Sequence, residues 1–217
     1  MRLKVKICCI GNKEEAKLAI EYGASAVGLV GKMPTGPGII SDKEIKLIAA
    51  IVPPPVATFL LTSETTANSI IERHQRVNTN TIQIVDKMKT GTYSDIRKAI
   101  PSVKLVQVIH VLDERSVEEA IIVAEQVDAI LLDSGNPYAE NKILGGTGKV
   151  HDWKLSRKIR DSVNIPVFLA GGLTPENVIS AIEQVEPFGI DVCSGVRINS
   201  KLDKLKLEKF MKGVEQF

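Results

Sequence analysis

Short apolar runs alternate with longer amphipathic stretches along the whole chain, and this alternation constrains the fold more than any other feature. Runs rich in Val, Ile and Leu lie at residues 3–9, 26–30, 55–61, 81–85, 103–110, 128–133, 166–170 and 189–193. Helical patterns follow at 13–22, 42–51, 63–73, 93–99, 116–125, 152–160, 175–184 and 202–214. Strands that alternate with helices predict right-handed crossovers and a parallel sheet. Strands that are apolar almost throughout predict a sheet covered on both faces. Eight such units in 217 residues close most simply into an α/β, (β/α)8 TIM barrel, a single domain over residues 1–217. An open doubly wound sheet is the alternative, and it would usually carry a GxGxxG turn after the first strand. Here that turn reads Cys8-Cys9-Ile10-Gly11-Asn12.

Charge and composition narrow the function classes. Lys plus Arg is 28 against 26 for Asp plus Glu, a net charge of +2, too weak a field to argue for nucleic acid or a membrane surface. No apolar run approaches the ~18–20 residues of a membrane span. Charged and apolar residues interleave over Met1-Arg2-Leu3-Lys4-Val5-Lys6, unlike a secretory signal, so the expected compartment is the cytoplasm. Three cysteines do not make a disulfide framework. With no CxxC pair and three histidines, no metal site is expected.

Two connections exceed the usual ~2–6 residues, at 31–41 and 134–150. Both follow strands, hence both border the C-terminal mouth where barrel enzymes keep their chemistry, and both are expected to act as lids. Side chains alternate along a strand. On the first, Leu3, Val5, Ile7 and Cys9 are expected to face the helices, while Lys4, Lys6 and Cys8 face inward. On the sixth, Ala129, Leu131 and Asp133 face inward, with Asp133 last. A thiol and a carboxylate then look at each other across the mouth, a pair suited to acid–base chemistry, with Lys6 as a positive neighbour for Cys8. The competing reading makes Cys8 and Cys9 small core fillers.

Gly171-Gly172 after the seventh strand and Ser194-Gly195 after the eighth sit where this fold commonly grips phosphate, because glycines let backbone N–H groups approach an anion closely. A simple tight turn capped by Thr174 is the alternative. Gln83 is expected inward and Asp128 at the bottom in a structural role, while His110 ends the fifth strand, where it could reach the mouth. His74, between Arg73 and Arg76, is expected on a solvated helix face.

Several blocks together resemble the phosphoribosylanthranilate isomerases of tryptophan biosynthesis. They are Val5-Lys6-Ile7-Cys8, Leu131-Leu132-Asp133, Gly145-Gly146-Thr147-Gly148-Lys149 with Asp152-Trp153, Ala170-Gly171-Gly172-Leu173 with Pro175-Glu176-Asn177-Val178, and Pro187-Phe188 with Asp191 and Ser194-Gly195-Val196. The resemblance implies a cofactor-free Amadori isomerisation of a small phosphoribosyl amine by a monomer or homodimer. It implies Asp133 as general acid, Cys8 as general base, and Gly171, Gly172, Ser194 and Gly195 as the phosphate grip, with Gln83 beside the substrate.

The chain also departs from that pattern. Cys9 stands where the family usually has Gly, and Gly38 stands where it usually has an Arg expected to meet the anthranilate carboxylate. Gln83-Ile84-Val85-Asp86 replaces Gln-Leu-His-Gly, Gln107 replaces a common Lys, and Arg197 replaces an acidic residue. Lys32, Lys149 and Arg197 are the cations considered as substitutes for the missing Arg, and Arg197 is the first choice. Other readings are a paralogue acting on another phosphoribosyl amine and a catalytically silent phosphosugar binder. The histidine-pathway isomerase of the same fold fits less well, since it ends its first strand in Asp, here Cys8.

Overall fold

A computed structural model describes residues 2–136, 144, 148 and 150–217. Eight parallel strands close into a barrel in chain order, β1 pairing with both β2 and β8. The strands are β1 Lys4–Ile7, β2 Ala26–Val30, β3 Ala57–Thr62, β4 Thr81–Ile84, β5 Lys104–His110, β6 Ala129–Asp133, β7 Val167–Leu169 and β8 Gly189–Val192. The helices are α1 Lys13–Glu21, α2 Asp42–Ala49, α3 Ala67–Val77, α4 Tyr93–Ala99, α5 Arg115–Ala124, α6 Trp153–Ser162, α7 Val178–Val185 and α8 Lys204–Val214. A 3-10 turn, Ser194–Val196, and a two-stranded hairpin, β9 Arg197–Ile198 and β10 Lys201–Leu202, precede α8.

Strand alternation divides the core into two layers. Outward residues such as Val5, Ile7, Ile82, Ile130 and Ile190 pack beneath the helices. Inward residues such as Phe59, Val106, Val108, Leu131 and Phe168 fill the barrel together with Cys8. The interior is therefore a packed core that opens only at the ends.

Helix ends follow their caps. Ser41 and Thr92 form capping boxes with Glu44 and Asp95. α3 starts later than expected from periodicity because Thr66, not Ser63, accepts from the Ser69 N–H, and it runs on to a left-handed Asn78. α7 likewise starts at Val178 rather than 175, with the preceding Thr174 and Asn177 tied by side-chain hydrogen bonds. The expected solvated face of α3 is a correction: Arg73 and His74 are both buried. Arg73 binds Asp42 at 3.2 Å and the Lys32 carbonyl at 3.2 Å, and His74 Nε2 lies 2.6 Å from the Thr79 carbonyl. Those partners come from other segments, so the local charge pattern does not reveal them.

Candidate active site

The mouth is built from strand ends. Cys8, just past β1, donates its N–H to the Val192 carbonyl at 2.8 Å and continues the β8 pairing. Its buried thiol points into the barrel, as alternation requires. On β2, only glycine leaves room beside it. A Cβ on Gly28 would lie 2.7 Å from Cys8 Sγ and 3.1 Å from Lys6 Nζ.

Cys9 differs from expectation. Its φ is +62°, so the chain leaves the strand geometry and alternation no longer applies. Cys9 lines the mouth cavity instead of facing the helices, along with Cys8 and Cys193. The neighbouring Cys193 and Cys8 thiols, together with burial, push its ionisation up, while the nearby Cys9 thiol draws that of Cys193 down.

Asp133 ends β6 opposite His110. Its Oδ1 accepts from the Ser134 N–H at 2.7 Å. Burial pushes its pKa up to about 6, reinforced by Asp191 and opposed by the Ser134 N–H and by Lys6. A carboxyl of that kind keeps its proton into the range where a general acid is useful.

Beneath them lies a buried ion pair that parity alone had not singled out as a site. Lys6 Nζ is 2.8 Å from Asp191 Oδ2, and Lys6 is fully buried over the Phe59 ring. The two residues are directly paired across β1 and β8. Burial opposes the Lys6 charge, but Asp191 and the neighbouring thiols outweigh it and hold the ammonium well above its usual range. Asp191 is pushed up by burial against the pull of Lys6. Its Oδ1 is buried, lacks a partner among the described residues, and belongs to a side chain that lines the cavity. Gln83 lines the same cavity, and its Oε1 has no partner among the described residues. The sequence signal for Asp191 was present in the alternation Gly189, Asp191, Cys193 against Ile190 and Val192.

The wall between β6 and β1 is made of the loops after β7 and β8. Gly171 and Gly172 have φ of +84° and +65°, a left-handed pair that turns the backbone into the cavity. Asn177 Nδ2 holds the Gly172 carbonyl at 2.9 Å. Ser194 lines the cavity as well, whereas Gly195 lines an adjoining groove. A Cβ on Gly195 would lie 1.9 Å from the Leu173 carbonyl oxygen, so the two loops meet only because residue 195 has no side chain. Val30, Met33, Pro37, Leu61, Val85 and Leu144 give the cavity an apolar side.

Among the described residues, neither Arg197 nor His110 lines the cavity. Arg197 is a correction: its guanidinium is buried against the backbone carbonyls of Cys8 and Cys9 and against Glu15, and it does not line the cavity. His110 is turned to the Val85 carbonyl at 3.1 Å, and Gln107 accepts the Tyr93 hydroxyl at 2.9 Å. Lys149 lies outside the described residues, as does most of the 134–150 connection. Among the described residues, no lysine or arginine lines the cavity, and no group of His, Cys, Asp and Glu is arranged to hold a metal. No helix among them is long and apolar enough to cross a membrane.

Residues 5–213 match the family described as N-(5'-phosphoribosyl)anthranilate (PRA) isomerase. The chain belongs to the PRA isomerase family. A PRA isomerase of Methanocella arvoryzae is 33% identical over 204 residues, 94% of this chain and 93% of the relative. The PRA isomerase structure from Thermotoga maritima superposes with a TM-score of 0.81 at 33% identity, covering 99% of this chain and all of that one. A further PRA isomerase, crystallised with reduced 1-(o-carboxyphenylamino)-1-deoxyribulose 5-phosphate, has a TM-score of 0.77 at 30% identity, with 99% and 100% coverage.

Proposed function

We infer that this chain is a PRA isomerase of tryptophan biosynthesis, a cofactor-free intramolecular oxidoreductase. It converts N-(5'-phosphoribosyl)anthranilate into 1-(o-carboxyphenylamino)-1-deoxyribulose 5-phosphate. It does so as one catalytic domain in the cytoplasm, as a monomer or homodimer. The observation that carries this reading is the meeting of Cys8 and Asp133 on one cavity, which Gly171, Gly172 and Ser194 also line, in a chain of this family.

Protonated Asp133 gives its proton to the furanose ring oxygen. The C1'–O bond breaks, and the amine lone pair forms a Schiff base at C1'. Cys8 takes the C2' proton, the electrons of that bond neutralise the iminium nitrogen, and an enolamine results. Its C2' hydroxyl then loses a proton as C1' gains one, leaving the ketone. C1' is reduced and C2' oxidised, so no external electron carrier is needed. The backbone N–H groups at Gly171, Gly172, Ser194 and Gly195 hold the phosphate. Gln83 Oε1 meets a substrate hydroxyl. The apolar side at Met33, Pro37 and Leu144 takes the aromatic ring.

Steady-state conversion of freshly generated substrate, followed by loss of anthranilate fluorescence, tests this. Wild type should turn over, and Cys8→Ser and Asp133→Asn should each lose about 10²–10⁴-fold in kcat. A folded wild type without turnover sinks the substrate assignment. A second reading, a paralogue acting on a phosphoribosyl amine without a carboxylate, is favoured by Gly38 and by the lack of a cation among the described cavity residues. Turnover of the carboxylate-free aniline analogue at a higher kcat/KM than the natural acid would select it.

A further inference from the structure

Arg197 occupies a position that the mechanism leaves unexplained. It opens β9, is 8% exposed, and does not itself line the cavity. Nη2 donates to the Cys8 carbonyl at 3.0 Å and to the Cys9 carbonyl at 2.6 Å. Nη1 donates to both carboxylate oxygens of Glu15, each at 3.1 Å, and to the Ser200 carbonyl at 3.1 Å. Glu15, on the first turn of α1, also accepts from the Gly11 N–H at 3.0 Å and the Leu202 N–H at 2.9 Å. One guanidinium thus ties the turn after β1, the start of α1 and the β9–β10 hairpin into a single knot.

The turn it ties is the one that presents the thiol. The Cys8 backbone is gripped from both ends: its N–H by Val192 of β8, and its carbonyl by Arg197. The next carbonyl, that of Cys9, belongs to a residue with φ of +62°, a conformation that L side chains disfavour. Holding both carbonyls from one nitrogen fixes the peptide planes on either side of Cys9. It therefore fixes the Cα frame from which the Cys8 side chain projects. Guanidinium suits this task because its planar fork presents several donors in fixed directions.

We propose that Arg197, anchored by Glu15, is a positioning residue that aims the Cys8 thiol at the reacting carbon. It rests on the isomerase reading above for its rate readout. Removing Arg197 leaves two buried carbonyls without their donor and frees the Cys9 turn to relax. A shift of about 1 Å in a reacting group can cost about 10²-fold in rate.

Arg197→Ala, Arg197→Lys and Glu15→Gln, measured beside wild type, test the proposal. In Arg197→Ala, kcat should fall about 10–100-fold with KM within about twofold, and added guanidinium ion should restore part of kcat. Arg197→Lys and Glu15→Gln should show smaller losses with the same split. Should Arg197→Ala not fold, these two carry the test. A raised KM at unchanged kcat would instead make Arg197 a substrate contact. Unchanged kcat and KM with a lowered melting temperature would make it a structural staple alone. Either result overturns the proposal. If wild type does not turn over PRA, only the substrate assignment falls. Site-resolved alkylation of Cys8 by iodoacetamide then decides the positioning role: its rate should rise in Arg197→Ala, and an unchanged rate overturns it.

Discussion

Asp128 and Asp133 stand at the two ends of β6, and the barrel treats them oppositely. Asp128, at the bottom, accepts from the Leu105 N–H at 2.8 Å and pairs with Arg97 at 2.9 Å and Lys104 at 3.2 Å. Partial burial opposes its charge, but those donors outweigh it and hold the carboxyl below its usual range. Asp133, at the mouth, has the Ser134 N–H and hydroxyl within reach and a second carboxylate, Asp191, nearby. Burial wins there, and the proton is held to about pH 6. The same residue type at the two ends of one strand is held as an anion or keeps its proton according to the donors that surround it. Stability is favoured at the bottom, and reactivity at the mouth.

The sharpest way to break this contrast is to neutralise each carboxyl in turn. Asp133→Asn should lower kcat by about 10²–10⁴-fold while the protein stays folded. Asp128→Asn should leave kcat within about twofold and lower stability by about 1–3 kcal/mol, read by urea unfolding. Equal losses of activity would abolish the distinction.

The ion pair under the mouth comes next. Lys6→Met would leave Asp191 buried without its counter-ion, at a cost of about 3–5 kcal/mol and with a further rise in the Asp191 pKa. A melting temperature within 2 °C of wild type, or about that, would show that solvent reaches Asp191. The mouth glycines give a smaller effect. Gly195→Ala must push the Leu173 carbonyl aside, so KM should rise several-fold with less change in kcat, and inorganic phosphate should inhibit less well. An unchanged phosphate affinity would remove that loop from the anion site.

The pH dependence is the subtlest test, and its sign differs between the two carboxyls. The folded pKa of Asp133, about 6, lies above its ordinary value of 3.8, so the folded state holds the extra proton between those pH values. Stability contributed by Asp133 therefore falls as pH rises through that window, and Asp133→Asn should gain stability relative to wild type across it. The kcat/KM of wild type should fall as pH rises past about 6, where the free enzyme loses its acid. Asp128 is the reverse: its contribution is present above the ordinary carboxylate range and is lost as pH falls through its depressed pKa. Parallel stability profiles for Asp133→Asn and Asp128→Asn against wild type would defeat the comparison.

Much of this was legible in the sequence because it depends on short-range periodicity. Period-two alternation put Cys8 and Asp133 inward, and the apolar runs predicted the barrel with its loops on one face. Gly171, Gly172 and Gly195 were legible as places needing a bare backbone, although the clash at Leu173 was not. Alternation failed at Cys9, where a left-handed residue ends the strand frame. The local charge pattern failed for Arg73, whose partner Asp42 is 31 residues away, and nearness to the mouth failed for Arg197, whose partner Glu15 is 182 residues away. A charged side chain has no periodic signature that names its partner. By itself, then, the sequence determined the elements, their order and the facing of strand residues, since these follow from backbone sterics and apolar patterning. Only the tertiary structure decided which cation binds Asp191, where the guanidinium of Arg197 goes and why Asp133 holds its proton, because burial and the nearest donors are properties of the closed barrel.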